Sequence, residues 1–84
     1  MSKIKKLLSR LLQAKSDKNF SFDELCKILD NLEFEKRIKG SHHIYWKKEI
    51  EDIINIQPDG SKAKPYQVKQ VRNIILKNKL HLSE

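Results

Sequence analysis

The stretch RIKGSHHIYW, residues 37–46, decides the fold of this chain. Before Gly40, apolar and charged residues alternate, and β-branched or aromatic residues dominate 42–46. Both patterns are typical of β-strands. Gly40 and Ser41 between them fit a tight turn. The stretch therefore predicts a β-hairpin with strands over residues 33–39 and 42–47, and a loop of two or three residues fits the pattern equally well.

Toward the C-terminus, the pattern predicts one more strand and a helix. Isoleucines recur over residues 52–57, and Pro58 and the Asp59-Gly60 pair then predict the end of that third strand. Pro65 suits a first helical turn. Apolar residues follow it at three- and four-residue spacing, which predicts a helix closing near Leu80: they are Val68, Val71 and Ile75.

Toward the N-terminus, two helices are predicted. Ser21 followed three residues later by Glu24 is the signature of a capping box, so a helix begins there. Cys26 lies on its apolar face and is expected to pack as a small apolar group. Residues 1–15 form an amphipathic helix, which we expect to close one side of the core. Its apolar positions are Ile4, Leu7, Leu8, Leu11 and Leu12.

The predicted fold class is α+β, in the order α-α-β-β-β-α. A three-stranded antiparallel sheet flanked by helices is the plan of a double-stranded RNA-binding domain. A chain of 84 residues suffices for one compact domain. We therefore predict a single domain over residues 1–84, with residues 1–15 as an N-terminal helical extension.

The charge distribution favours a polyanionic partner. The formal net charge is +7. The positive charge is concentrated in the two terminal segments. Residues 1–20 carry six basic and one acidic side chain, and residues 58–84 carry six basic and two acidic side chains. Such an excess favours nucleic acid or an acidic protein surface. The single cysteine fits a reducing cytoplasm, and apolar runs are too short for a membrane span.

His42 is the candidate catalytic residue. Imidazole titrates near neutrality, so a histidine at the end of a strand can move a proton to or from a ribose hydroxyl. Gly40 permits a sharp turn and close approach of a phosphodiester, and Ser41 can donate to a phosphate oxygen. His43 alternates to the opposite face of the strand. No spacing of ligands predicts a metal or other cofactor.

The chain resembles the HicA toxins of toxin–antitoxin systems. The resemblance covers residues 21–80 and is carried by three motifs: RIKGSHH at 37–43, INIQP at 54–58 and KAKP at 62–65. It implies an mRNA interferase of double-stranded RNA-binding-domain-like fold that acts in the cytoplasm. It also implies that the first histidine after Gly-Ser, here His42, is catalytic, and that a HicB-type antitoxin protein is the inhibitory partner.

RNA contact is expected to fall mainly to lysines, because phosphate neutralisation supplies most affinity that is independent of sequence. Lys62 and Lys64, just before a helix N-terminus, are the first candidates. Around the hairpin the candidates are Lys39, Lys47 and Lys48. Three aromatic residues are also considered as base-stacking platforms, with the tryptophan favoured as a core residue instead: Tyr45, Trp46 and Tyr66.

Three functions are compatible with these residues. The first is a metal-independent endoribonuclease acting through His42, with water, the substrate phosphate or Lys64 completing the proton transfers. The second is a non-catalytic module that grips phosphates of double-stranded RNA. The third is a protein-interaction domain that uses the N-terminal amphipathic helix.

Overall fold

The α+β class and the element order are confirmed by a computed structural model, which describes residues 3–13 and 17–82. The described residues form three α-helices, one short 3₁₀ helix and two antiparallel sheets. In chain order they are α1 (Lys3–Gln13), the 3₁₀ helix (Asp17–Asn19), α2 (Phe22–Asn31), β1 (Glu35–Lys39), β2 (His42–Trp46), β3 (Ile54–Ile56), β4 (Pro58–Asp59), β5 (Lys62–Ala63) and α3 (Pro65–Lys77).

The main sheet has the order β1-β2-β3 and is antiparallel throughout. Lys39 pairs with His42, so the hairpin loop has two residues. Gly40 has a φ of 60°, and Ser41 does not share this left-handed conformation. A glycine with positive φ at the first loop position is the pattern of a type II′ turn, whose twist matches that of the flanking strands.

The third strand differs from the prediction. It covers Ile54–Ile56 rather than residues 52–57, and the segment after it forms a second hairpin from β4 and β5. Pro58 is the first residue of β4, a position where the missing backbone N–H removes no bond from the ladder. Gly60, with a φ of 63°, repeats the Gly-Ser turn of the first hairpin.

The core lies between the helices and one face of the main sheet. From the sheet, Tyr45, Ile54 and Ile56 are completely buried. They meet buried side chains of the helices: Leu25, Ile28 and Leu29 from α2, and Val68, Val71 and Ile75 from α3. Trp46 was expected to be a core residue, and this is wrong. The strand alternates sides at every residue, so Tyr45 points inward and Trp46 is only half-buried.

Helix α1 closes one side of the core, as predicted. Leu11 is completely buried, and the other four apolar residues of the helix pack partly buried against the core. The apolar face of α1 is therefore engaged within the chain, which weakens the view of α1 as a free docking helix. The predicted helical residues 1, 2, 14 and 15 lie outside the described part of the chain.

Polar contacts hold the helices in place. Ser21 caps α2, its side chain accepting a hydrogen bond from the Glu24 N–H at 3.1 Å while Glu24 Oε1 accepts from the Ser21 N–H at 3.0 Å. Arg72 of α3 donates to both carboxylate oxygens of Asp17 at 2.6 and 3.2 Å. This bidentate pair ties the 3₁₀ helix to α3, and such pairs fix geometry as well as adding energy.

The completely buried Tyr45 of β2 lies beside the half-buried Cys26 of α2. Burial raises the pKa of the Tyr45 hydroxyl and of the Cys26 thiol beside it. Their contact falls short of a sound hydrogen bond, and within residues 3–13 and 17–82 the Tyr45 hydroxyl has no partner. Cys26 therefore packs against the core as expected, in a setting that disfavours a thiolate.

Candidate functional site

His42 is the first residue after the Gly40-Ser41 turn, at one end of β2. Its side chain is exposed and lies on the sheet face that points away from the helices. His43 points to the other face, where its half-buried ring meets the edge of Phe22 with centroids 4.8 Å apart. The two histidines therefore do not share a site, as the alternation of a strand predicts.

Both ring nitrogens of His42 have partners on the chain that follows β2. Nδ1 lies 3.3 Å from Oδ1 of Asn55, and Nε2 lies 2.9 Å from Nε2 of Gln57. An amide oxygen only accepts and an amide nitrogen only donates. The contacts are thus satisfied together by one neutral tautomer, in which Nδ1 carries the proton and Nε2 presents its lone pair.

Gln57 is itself held by two further contacts. Its side-chain nitrogen is 3.5 Å from Oγ of Ser41, a weak second acceptor. Its backbone N–H donates to Oε1 of Gln67 at 3.2 Å. Gln67 belongs to the first turn of α3 and is buried, with 5% of its surface exposed. The helix therefore positions the strand end that carries the amide against His42.

Asn55 and Gln57 were not among the predicted site residues. The register explains their position, because His43 pairs with Ile56 and Ile44 with Asn55. Gln57 is thereby placed opposite His42, with Asn55 diagonal to it on the same face. A signal was available in INIQ, residues 54–57, since two amides at alternate positions of an apolar strand must share one face.

The predicted lysines fall into separate groups. Lys39 is exposed and is the cross-strand neighbour of His42. Lys64 is the N-cap residue that precedes α3. The contact of Gln67 with Gln57 places it at the same end of the sheet as His42. Lys62 is exposed on β5, paired with Ser21.

Lys47 and Lys48 lie past the opposite end of β2 from His42, and at the usual rise of a strand Lys47 is about 16 Å away. Lys47 is largely enclosed, with 13% of its side chain exposed, and donates to the Leu32 carbonyl at 2.8 Å. Its ammonium also lies 5.5 Å from the centre of the Phe34 ring. Lys47 thus supports the fold, whereas Lys48 is exposed in the following turn.

The aromatic candidates are also separated. Tyr45 is completely buried and is unable to reach a base. Tyr66 is exposed in the first turn of α3, and Trp46 is half-buried on the same sheet face as His42. Only the last two remain available for stacking.

His42 lies on an open surface rather than in a deep cavity. A depression of about 470 Å³ lies between α1 and α2, where Ile4, Leu7 and Lys27 are among its lining residues. It shares no residue with the His42 site. Among residues 3–13 and 17–82, no three His, Cys, Asp or Glu side chains gather to hold a metal ion. Within the same ranges, no helix is both long and apolar enough to cross a membrane.

Comparison with known proteins identifies the family. The family model described as the HicA toxin of bacterial toxin–antitoxin systems matches residues 22–78. The match covers more than half of the chain, so the chain belongs to the HicA toxin family. It spans every element from α2 to α3, including the His42 site, and leaves α1 outside. No curated protein and no solved structure gave a significant match.

Proposed function

We propose that this HicA family toxin is an endoribonuclease that cleaves mRNA with His42 as general base. The observation that carries the proposal is the pair of contacts on the His42 ring. They support a neutral imidazole with a basic Nε2 on an exposed surface. A general base needs a pKa near the working pH, and it must lie within reach of the proton that it removes.

The proposed reaction is an internal transesterification. Nε2 of His42 takes the proton of a ribose 2′-hydroxyl while the 2′-oxygen attacks the adjacent phosphorus. The bond between phosphorus and the 5′-oxygen breaks, and the proton returns through solvent to that leaving oxygen. The products are a 2′,3′-cyclic phosphate and a 5′-hydroxyl. Protons move through imidazole and water alone, so this step needs no metal ion or other cofactor.

Gln57 has two roles in this proposal. Its amide holds the ring in place before substrate arrives, and it must release Nε2 when the 2′-hydroxyl takes its position. Ser41 Oγ offers the amide nitrogen an alternative acceptor at 3.5 Å. A phosphate oxygen in the site offers a stronger one, since hydrogen bonds to charged acceptors exceed neutral ones. Lys39 and Lys64 add positive charge around that phosphate.

The partner that silences the toxin is proposed to be an antitoxin protein of HicB type. Membership of a toxin–antitoxin family supports such a partner. It would cover the surface around His42, and acidic groups would suit the exposed Lys39 there, because complementary charge guides and orients protein association. Free toxin would act in the cytoplasm, where its mRNA substrate lies.

A comparison of wild type with His42→Ala tests the proposal. Purified wild type should cut a defined transcript in the presence of EDTA, and the variant should still bind the transcript but cut it about 100- to 10,000-fold more slowly. His81→Ala, which changes an exposed histidine in the C-terminal segment, is the control and should cut like wild type. Binding without cleavage by the wild type would instead identify a non-catalytic RNA-binding module.

A further inference from the structure

We infer that the substrate is single-stranded RNA lying across the face of the main sheet that points away from the helices, with one base stacked on Trp46. The inference rests on the proposed function, because it places the substrate at His42. We call this surface the open face. It consists of Glu35, Arg37, Lys39, His42, Ile44, Trp46 and Asn55.

Pairing across the strands arranges the open face in rows. Lys39 and His42 form one row, and Arg37, Ile44 and Asn55 form the next. Glu35 and Trp46 form the third. Successive rows are separated by two positions along each strand and therefore lie about 7 Å apart. Trp46 therefore lies about 13 Å from His42 along β2, a span that a short stretch of extended nucleic acid can bridge.

Every side chain on the open face keeps some exposure, in contrast to the helix side, where Tyr45, Ile54 and Ile56 are completely buried. Ile44 in the second row and Trp46 in the third are half-buried apolar side chains on this otherwise polar surface. An indole on the surface of a sheet is a platform on which any base can stack. On the helix side of β2, by contrast, the Tyr45 ring is completely buried and is not available to a base.

The charge on the open face suits a phosphate backbone near His42. Arg37 and Lys39 are exposed and form no ion pair with any residue in the described ranges. Both lie on β1, alongside the β2 residues His42, Ile44 and Trp46. Glu35 carries the opposite charge at the Trp46 end. The backbone should therefore follow Arg37 and Lys39 while a base, rather than a phosphate, approaches Trp46.

A single strand fits this surface better than a duplex. In A-form RNA the bases are stacked inside the helix, so the duplex offers phosphates and 2′-hydroxyls but no free base for an indole. Cleavage also needs the 2′-oxygen, phosphorus and 5′-oxygen in line, a geometry that a flexible single strand reaches and a paired strand does not.

The intrinsic fluorescence of Trp46 tests the inference directly, because the chain contains only one tryptophan. His42→Ala protein should be titrated with a twelve-nucleotide single-stranded RNA of mixed sequence and with the same RNA as a duplex. Labelled RNA in parallel samples reports binding by anisotropy. Stacking should quench the emission in proportion to bound single strand. Binding without quenching, or equal quenching by the duplex, would overturn the inference.

Two substitutions provide a second readout. Trp46→Leu should weaken binding of the single strand roughly 5- to 150-fold, the range that base stacking supplies. Arg37→Ala should weaken binding and reduce the slope of log affinity against log salt by about one. Lys69→Ala, an exposed lysine on α3 away from the open face, is the control and should lower affinity less than Arg37→Ala. Equal losses for Lys69 and Arg37 would contradict this placement.

These outcomes are separate from those of the proposed function. Quenching by RNA that wild type never cuts would uphold the binding surface and refute the nuclease. Cleavage of RNA that binds without quenching would uphold the nuclease and refute the binding surface.

Discussion

Nε2 of His42 lies 2.9 Å from the amide nitrogen of Gln57, and Nδ1 of the same ring lies 3.3 Å from Oδ1 of Asn55. The ring is therefore oriented before substrate arrives, by two amides that are contributed by β3 and the residue after it. Fixing a proton carrier in its reactive geometry removes an entropic cost from the reaction. The account of His42 as a base depends on these two contacts.

Asn55→Asp should shift the pH dependence of cleavage. A carboxylate beside Nδ1 stabilises the protonated imidazole, so His42 would hold its proton to higher pH. The rising limb of the pH–rate profile should move to higher pH than in wild type. Asn55→Ser, which keeps a neutral acceptor, should lower the rate without moving the limb. An unchanged pH–rate profile in Asn55→Asp would show that His42 does not carry out the rate-limiting proton transfer.

The two Gly-Ser turns form a natural matched pair. Gly40 and Gly60 have φ values of 60° and 63°, and an added Cβ at either would meet nothing within 4 Å. Alanine should therefore destabilise both variants for conformational reasons alone, by about 1–2 kcal/mol. Denaturant melts should show similar losses, but cleavage measured well below the melting temperature should fall further in Gly40→Ala, which displaces His42. Equal cleavage by the two variants would show that the turn does not position the histidine.

The ion pair between Asp17 and Arg72 should matter more for stability than exposed pairs. Arg72 has 9% of its side chain exposed. Asp17→Asn would therefore leave the positive charge of Arg72 enclosed without a counter-ion. We expect a loss of about 3 kcal/mol in the free energy of unfolding, measured by urea denaturation. Asp30→Asn removes the exposed pair with Lys36 and should lose less than about 1 kcal/mol. A similar small loss at both sites would refute a structural role for Asp17.

Glu24 should contribute to stability at neutral pH and lose that contribution in acid. Partial burial works to raise the pKa of Glu24, but hydrogen bonds from the Ser21 N–H and Arg10 outweigh it and lower the pKa below the ordinary value of 4.5. A lowered pKa in the folded state stabilises the protein above the unfolded value, and this stabilisation disappears as the pH falls through the folded value.

Glu24→Gln keeps the capping hydrogen bond but removes the charge. The variant should be less stable than wild type at pH 7, by about 0.5–1 kcal/mol, and the gap should close below pH 4.5, the ordinary value of this carboxyl group. Urea melts at a series of pH values measure the gap. A gap that stays constant from neutral pH to acid would contradict this assignment.

The sequence predicted those parts of the fold that depend on local chemistry. Ser21 and Glu24 marked the start of α2, Pro65 the start of α3, and the strand period separated His42 from His43, all of which the structure confirms. The helical spacing of Leu11 and its apolar neighbours also predicted that this face of α1 would pack against the core.

The remaining features depend on pairing and contacts that the local pattern of residues does not determine. The β4–β5 hairpin was missed because Pro58 and Gly60 read equally well as the end of a strand, and only pairing shows the second ladder. Asn55 and Gln57 meet His42 through the register of β2 and β3, which no local signal in the connection between these two strands determines. The sequence predicts Lys47 as a surface lysine that contacts RNA, since nothing local predicts its hydrogen bond to the Leu32 carbonyl, 15 residues away.

The central claim is that the His42 imidazole takes a proton from a ribose 2′-hydroxyl. The most direct test is to identify the ends of the fragments that purified wild-type protein releases from a defined single-stranded RNA in EDTA. The account predicts a 2′,3′-cyclic phosphate on one fragment and a 5′-hydroxyl on the other, and no cleavage where the scissile nucleotide carries 2′-hydrogen. Fragments with a 3′-hydroxyl and a 5′-phosphate, or cleavage of the 2′-deoxy position, would contradict it.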